Sequence, residues 1–218
     1  KLNPTEQLVA GAPAPATFEN TRSAQPEAVG GDVSVSTFNV LNYFTTLGVS
    51  TSGCSSYTDR AGNGITVNRC PGTGPRGAWD ATSLDRQQDK IVAAINAIDA
   101  DVIGLLEIEN SASVAGTPDA ALATLVAALN DAGGSWDYIR SSDELPAAGS
   151  QDAITNAIIY QSDAVTPVGA ARALGDQSES GEAFQNAREP IAQAFEPVAG
   201  GESVLVAVNH FKSKGSAP

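Results

Sequence analysis

The sequence predicts an α/β fold built in layers around mixed β-sheets, and three observations lead to this class. Two helical segments each run directly into an extended segment, and the rest of the 218-residue chain is rich in strand-like sequence. An apolar composition of 42% is sufficient for a sizeable core. The sequence has no glycine-rich phosphate loop of either common kind, which makes a doubly wound Rossmann order the less favoured arrangement.

Residues 1–32 are predicted to be a linker or an extended arm from a preceding domain. They are rich in Pro, Ala, Glu and Thr, lack a period of 2 or 3.6, and end in Gly30-Gly31. From Val33 to Val40 the sequence alternates and is rich in β-branched residues, which predicts the first strand. The folded domain is therefore predicted to occupy residues 33–218.

Residues 45–81 are predicted to form a long loop that carries both cysteines of the chain. Cys54 and Cys70 bracket fifteen residues, and neither CxxC spacing nor accompanying histidines indicate a metal site. A disulfide, worth about 3 kcal/mol by loop entropy, is the favoured interpretation, with unpaired thiols as the alternative. A disulfide would indicate an oxidising compartment, so we expect a secreted or extracellular protein, or a periplasmic one.

Two helices follow, separated by a buried strand. The first is predicted to open at Thr82, with Asp85 three residues further on, and the second to run from Pro118-Asp119 to Gly133-Gly134. The almost continuous apolar run at 101–108 predicts a strand covered on both faces. The apolar positions of the two helices are Leu84, Ile91, Val92, Ile95 and Ile98, then Leu122, Leu125, Val126 and Leu129. Four more strands are predicted at 136–139, 153–160, 188–195 and 203–211.

The net charge of −13 and a pI near 4.3 argue against sequence-independent binding to polyanions, because such binding depends on Lys and Arg. A polyanionic substrate would require metal ions or a local reversal of charge. Lys212 and Lys214, close to the single histidine, His210, provide such a reversal. The alternative is an acidic surface that serves solubility alone.

Polar residues follow three of the predicted strands, where ligands of α/β sheets commonly bind. Asn39 and Asn42 end the first, and Asn209-His210 with Lys212 end the last. Glu107, followed by Glu109 and Asn110, ends the apolar run at 101–108. A carboxylate at such a position suits Mg²⁺, Mn²⁺ or Ca²⁺, although it would also be stable facing solvent or paired with an arginine.

Three further residue types complete a candidate site. His210 is a candidate general acid or base, because the unperturbed pKa of a histidine side chain lies near neutrality. The alternative is a structural histidine. Asp152 precedes a strand and is predicted either to orient an imidazole or to cap a turn. Arg188 is a candidate phosphate-binding residue, because its planar guanidinium donates several hydrogen bonds to phosphate oxygens. The alternative is an ion pair between Arg188 and Glu189.

Four segments, in this order, resemble the endonuclease/exonuclease/phosphatase superfamily, whose best-known member is deoxyribonuclease I. They are residues 36–44, 101–110, 188–190 and 209–215. The similarity is greatest to the secreted bacterial nucleases of the ExeM/NucH kind, which also carry a cysteine-bearing insertion. The resemblance implies a DNase I-like four-layer α/β sandwich, in which two mixed β-sheets are flanked by helices.

The resemblance also implies the roles of individual residues. Asn39 would orient the scissile phosphate or the metal, Glu107 would bind Mg²⁺ or Mn²⁺ (Ca²⁺ is a third candidate), and Arg188 would contact substrate phosphate. His210 would act as a proton donor or stabilise the transition state, with Asp152 as its partner. Asn209 and Lys212 are added as phosphate-binding candidates because they flank His210.

The family needs a later Gly-Asp-x-Asn element and a final Ser-Asp-His element, and neither occurs in these 218 residues. We therefore expect residues 33–218 to be the N-terminal portion of the catalytic domain, which supplies part of the active site, with the C-terminal half on a second chain or a missing segment. The expected function is an extracellular, metal-dependent nuclease that hydrolyses phosphodiester bonds of DNA, with RNA as the alternative nucleic acid and without a membrane partner. The alternatives are a phosphomonoesterase or another phosphodiesterase of the same fold, and a non-catalytic binding module.

Overall fold

The computed structural model describes residues 10, 11, 13, 17, 19–23, 27, 30–185 and 187–211. Most of the predicted arm lies outside these residues, so its assignment as a linker stays a prediction. Lys212 and Lys214 also lie outside the described residues. Within the described part, no helix is long and apolar enough to span a lipid bilayer.

The chain forms nine strands and three helices in its described residues. The strands are β1 (Val35–Tyr43), β2 (Ser55–Thr58), β3 (Gly64–Arg69), β4 (Val102–Glu109), β5 (Trp136–Tyr138), β6 (Ile154–Gln161), β7 (Val165–Ala173), β8 (Ile191–Pro197) and β9 (Val204–Val208). The helices are α1 (Ala81–Ile98), the single turn α2 (Ser111–Val114) and α3 (Ala120–Asp131).

A main sheet and a second sheet form the centre of the molecule. The main sheet has the order β1-β4-β6-β5, with β1 parallel to β4 and the other pairs antiparallel. The second sheet has the order β7-β8-β9 and is antiparallel throughout. The predicted α/β class with two sheets is confirmed, although the mixed character belongs to the main sheet alone among the described strands.

The two longer helices cover one face of the main sheet. Their apolar positions pack against β1, β4 and β6 in a single core, where Ile91 and Ile95 of α1 and Leu125 and Leu129 of α3 are buried. Helix α1 begins two residues earlier than predicted, because Asp80 and not Thr82 is its N-cap. The Asp80 carboxylate accepts a hydrogen bond from the Ser83 backbone N–H at 2.8 Å.

The second sheet packs on the opposite face of the main sheet. Phe195, Val206 and Val208 are buried there against the other side of β4 and β6. Gly104 of β4 permits this approach, since a Cβ at that position would lie 2.7 Å from Cγ2 of Val208. The helices, the main sheet and the second sheet form three of the four expected layers. The fourth layer would pack on the outer face of the second sheet, where Leu205 is 72% exposed.

The segment predicted as one long loop contains a small two-stranded sheet, so the prediction of a loop over 45–81 is wrong. β2 and β3 pair antiparallel, and Cys54 is joined to Cys70 in the predicted disulfide, with the Cα atoms 4.1 Å apart. The sequence did not predict the β2–β3 hairpin because its strands are short and largely polar. Strand β7 was also missed, since it is rich in small residues and contains Pro167.

Candidate functional site

The neighbouring ends of β1 and β4 are both irregular, and these irregularities create the rim of the site. Leu41 and Asn42 have φ values of 53°, and Glu107 has a φ of 65°, in the left-handed region that side chains disfavour. The strand register shifts at the same points. The Gln87 side-chain amide donates to the carbonyl oxygens of Val40 and Leu41, at 3.2 and 2.9 Å, which stabilises the β1 irregularity. Such bulges re-aim side chains beside functional sites.

Glu107 projects from the β4 bulge with its side chain 20% exposed. Among the described residues, the closest basic side chain is His210, whose Nε2 atom lies 3.8 Å from the Glu107 Oε1 atom, a distance too long for a hydrogen bond. Among the described residues, no donor forms a hydrogen bond to this carboxylate. A partly buried carboxylate without donors is costly unless a cation or a ligand completes its surroundings.

Glu109, two residues further along β4, has the opposite surroundings. It is 3% exposed, and its carboxylate accepts hydrogen bonds from the Thr46 backbone N–H at 2.8 Å, the Thr46 hydroxyl at 3.1 Å and the Ser111 hydroxyl at 2.8 Å. Asn110 is also buried, and its side-chain amide donates to Gln151. These two residues therefore anchor the loop after β1 and the start of α2, below the rim.

His210 lies two residues beyond the end of β9 and is largely buried. Burial is the main cause that lowers the pKa of its imidazole, and the Arg188 guanidinium lowers the pKa further. Glu107 and Asp152 act in the opposite direction. The imidazole is therefore neutral at pH 7, a state in which it is able to accept a proton.

Asp152 connects two arginines at the rim. Its Oδ2 atom lies 2.9 Å from Nη2 of Arg188, and its Oδ1 atom lies 2.5 Å from Nη2 of Arg76. Arg188 therefore pairs with Asp152, whereas the alternative had been an ion pair with Glu189. Among the described contacts of Asp152 there is no hydrogen bond to His210, so the role of Asp152 as partner of the imidazole stays a prediction.

Three buried polar atoms at this rim have no hydrogen-bond partner within the described part of the chain. They are Oδ1 of Asn156, Nε of Arg188 and Nδ1 of His210, and they are all such atoms found there. Asn156 is linked to the same place, because its amide donates to the Glu189 carbonyl at 2.9 Å. Buried polar atoms normally have hydrogen-bond partners, so three without one, an amide oxygen, a guanidinium N–H and an imidazole nitrogen, indicate a place for a ligand or water.

The remaining predicted residues surround this centre less closely. Asn39 is exposed and pairs in register with Leu106, the residue before Glu107, while its Oδ1 atom accepts from the Leu41 N–H at 2.8 Å. Asn209 is exposed. Lys212 lies outside the described residues. The structure thus groups Glu107, His210, Arg188 and Asp152 and places Asn39 on the adjacent strand.

Sequence reasoning missed two members of the group, Arg76 and Asn156. Arg76 follows the disulfide-bonded hairpin in a Gly- and Pro-rich segment, where no pattern distinguishes it from Arg69. Asn156 did offer a signal, since it is a polar residue inside the apolar run of β6 and faces a buried position.

The donor set fits a hard divalent cation. No group of three His, Cys, Asp or Glu side chains capable of holding a metal occurs in the described residues. Mg²⁺, however, is commonly bound through one or two carboxylates, with water and substrate phosphates as its other ligands. The Glu107 carboxylate, which lacks donors, and the exposed amide of Asn39 are oxygen ligands of this type.

No family model and no curated protein match the chain. Two solved structures show a limited similarity. ANGEL2, a 2',3'-cyclic phosphatase in complex with adenosine-2',3'-vanadate, is 15% identical over 58% of this chain and 32% of that chain, with a TM-score of 0.39. The human Nocturnin catalytic domain with a bound sulfate anion is 16% identical over 60% of this chain and 44% of that chain, with a TM-score of 0.38.

Both proteins belong to the endonuclease/exonuclease/phosphatase superfamily, the family that the sequence motifs resemble. This chain spans less than half the length of either. At these identities and TM-scores the likeness carries no conclusion about this chain, so its family and chemistry depend on the motifs and on the rim.

Proposed function

We propose that the protein is a secreted, divalent-metal-dependent nuclease of the endonuclease/exonuclease/phosphatase superfamily, with DNA as its substrate and RNA as a second candidate. One observation carries the proposal: Glu107, His210 and Arg188, from three separated segments of the sequence, meet at one rim together with three unsatisfied buried polar atoms. The disulfide between Cys54 and Cys70 supports secretion. The ExeM/NucH kind is the branch that the cysteine-bearing insertion favours.

A phosphodiester would be bound first by the arginines of the rim. Arg188 is held in place by Asp152 through Nη2 and keeps its buried Nε–H free of partners among the described residues. A guanidinium with an unused N–H is a strong donor to a phosphate oxygen. Asp152 is thus a positioning residue for Arg188, and it holds Arg76 in the same way.

Glu107 and Asn39 would hold the divalent cation. When bound, the cation would supply positive charge to the non-bridging phosphate oxygens and activate water. This contribution suits a protein with a formal charge of −13, which has few cations of its own to neutralise a phosphate.

His210 would exchange the proton that hydrolysis requires. The oxygen of water forms a bond to phosphorus, the P–O ester bond breaks, and the leaving oxygen gains a proton while the attacking water loses one. Because burial lowers the pKa of His210, its neutral imidazole is able to accept the proton that the attacking water loses. The leaving oxygen, on the opposite side of phosphorus, takes its proton from solvent.

We also propose that a C-terminal half, on a second chain or in a further segment, completes the site. Large apolar side chains that are exposed on both sheets support this. Val35 and Leu41 of β1, an edge strand of the main sheet, and Leu205, on the outer face of the second sheet, are each more than half exposed. Further chain packed beside β1 and over the second sheet would cover them.

The test is hydrolysis of supercoiled plasmid by the intact protein with Mg²⁺ or Mn²⁺ and with a chelator. We expect metal-dependent nicking that falls by about 10²-fold to 10⁴-fold in His210→Ala, the usual contribution of a general acid or base. Faster hydrolysis of small phosphomonoesters than of plasmid would instead assign the phosphatase chemistry. A folded protein inactive on all of these substrates would support a binding module.

A further inference from the structure

A groove leads away from the rim between the end of β1, the β2–β3 hairpin and the N-terminal half of α1. It has a volume of about 880 Å³. Among the described residues, its charged lining consists of Arg76, Arg86 and Lys90 and includes no acidic residue. The groove therefore concentrates positive charge in a protein whose acidic residues outnumber its basic ones by 25 to 12.

The two helical cations of the groove point away from Asp85 and Asp89, their neighbours in the sequence. Arg86 does interact electrostatically with Asp80, which does not line the groove. Arg86 and Lys90 are exposed and four positions apart, so they lie on one stripe of α1. Asp85 and Asp89 precede them by one position, which places them about 100° around the helix. In the described part of the chain, neither cation has a carboxylate within ion-pair distance, and Arg86 instead contacts the Ser83 hydroxyl at 3.2 Å. Both cations are thus available to a phosphate.

The groove opens directly onto the candidate site. Arg76 and Asn39 line it, and Arg76 is the arginine that shares Asp152 with Arg188. A nucleic-acid strand with one phosphate bound at Arg188 is therefore able to extend past Arg76 towards α1.

The wall opposite α1 is held in place before any ligand binds. The Gly77 carbonyl accepts hydrogen bonds from the Val67 N–H at 2.9 Å and the Thr66 hydroxyl at 2.8 Å, so the residue after Arg76 is tied to β3. Gly77 itself packs so closely that a Cβ there would lie 2.6 Å from the Asn42 carbonyl oxygen. Together with the Cys54–Cys70 disulfide, these contacts fix the hairpin against the end of β1.

We propose that this groove binds the phosphodiester backbone of the nucleic-acid strand that flanks the scissile phosphate, with Arg76, Arg86 and Lys90 as its phosphate contacts. The proposal rests on the proposed function and adds the path of the substrate strand. It also explains how a strongly acidic protein binds a polyanion, because the binding charge is local.

The test compares two double variants of the intact protein with the same change in net charge. Arg86→Gln with Lys90→Gln removes both helical cations from the groove. Arg22→Gln with Arg60→Gln removes two exposed cations that do not line the groove. Binding of a fluorescein-labelled 20-nucleotide DNA is measured by fluorescence anisotropy over a range of salt concentrations.

We expect the groove variant to bind about tenfold more weakly and to lower the slope of log K against log salt by about 2, one for each phosphate contact removed. The control variant keeps the wild-type affinity and slope. Equal affinities and slopes for the two variants would overturn the proposal. Should the groove variant unfold, Lys90→Gln against Arg60→Gln gives the same comparison with about half the change in slope.

Hydrolysis separates this proposal from the proposed function. The groove predicts that the ratio of kcat/KM for the 20-nucleotide DNA to that for a dinucleotide falls about tenfold in the groove variant. An equal loss on both substrates would contradict the groove. If wild-type protein hydrolyses neither substrate, the proposed function fails, and the anisotropy comparison still decides whether the groove binds the strand.

Discussion

Glu107 and Glu109 lie two residues apart on β4, and every contact of the two side chains differs. Glu109 is buried below the rim with three hydrogen-bond donors on its carboxylate, whereas Glu107 is at the rim with none from the described residues and with His210 at 3.8 Å. The satisfied carboxylate stabilises the fold. The unsatisfied one is available to a cation. Surroundings, and not position in the sequence, therefore distinguish the structural carboxylate of Glu109 from the Glu107 carboxylate, which we propose binds a cation.

The largest expected effect comes from Glu107→Gln. Removing the charge that would hold the cation should lower phosphodiester hydrolysis by about 10³-fold or more. The free energy of unfolding of the metal-free protein should stay the same or rise, because no hydrogen bond from the described residues is lost and a charge without donors is removed. Steady-state nicking and urea denaturation measure the two quantities. Activity close to that of wild type in the folded variant would contradict the assignment of Glu107.

Glu109→Gln should show the reverse behaviour. The amide presents N–H groups where the carboxylate accepts from Thr46 and Ser111, so we expect a loss of about 3 kcal/mol in the free energy of unfolding. The Ser111 hydroxyl already accepts from the Ala121 N–H at 3.1 Å, so if it also accepted from the amide, its own O–H would lose the partner that it has in Glu109. Urea denaturation checks the loss. A variant as stable as wild type would show that Glu109 is not the structural anchor.

The sequence predicted those parts of the fold whose apolar pattern is long and regular. Helices α1 and α3 and strands β4 and β6 have continuous apolar faces, and burial determines their conformation. The hairpin and β7 were missed because cross-strand hydrogen bonds and a disulfide hold them, and neither leaves a periodic signal. The N-cap was misplaced because both Asp80 and Thr82 are good capping residues, and only the coordinates show which one accepts from Ser83.

The candidate site was predictable to the extent that polar residues follow apolar strands. Glu107 and His210 were found in this way, and they do meet. The contacts of Arg76 and Asn156 depend on tertiary packing between segments far apart in the chain, about which spacing contains no information. The same limit applies to Asp152, whose two arginine partners come from positions 76 and 188.

Gly104→Ala tests whether the distance between the two sheets determines how His210 is placed beside Glu107. The surroundings of Glu109 should not change in this variant. The new Cβ would press on Val208 and displace β9, so His210 would move relative to Glu107. We expect about a tenfold loss in kcat/KM, since small misplacements at a reacting centre are costly. Adding Val208→Ala should restore part of the activity by making room. A loss without rescue would show that the effect does not come from this contact.

The smallest expected effect concerns Glu144. Its carboxylate accepts hydrogen bonds, as that of Glu109 does, but the side chain is exposed. The Ala173 N–H at 2.9 Å is the main cause that lowers the pKa of its carboxyl, and Arg172 lowers the pKa further. A carboxyl with a lowered pKa stabilises the folded state above its unfolded pKa. Glu144→Gln should therefore be slightly less stable than wild type above about pH 4.5, with the gap closing as the pH falls through the folded pKa. Urea midpoints measured across this range provide the check, and a gap that widens in acid would contradict it.

The position of a bound Mn²⁺ ion, located by anomalous scattering from crystals of the intact protein, tests most directly whether the rim binds metal. We expect a peak about 2.1 to 2.2 Å from a Glu107 carboxylate oxygen, on the side that faces His210 and Arg188. A peak elsewhere on the protein, with none beside Glu107 at saturating Mn²⁺, would contradict the assignment of this rim as a metal-dependent active site.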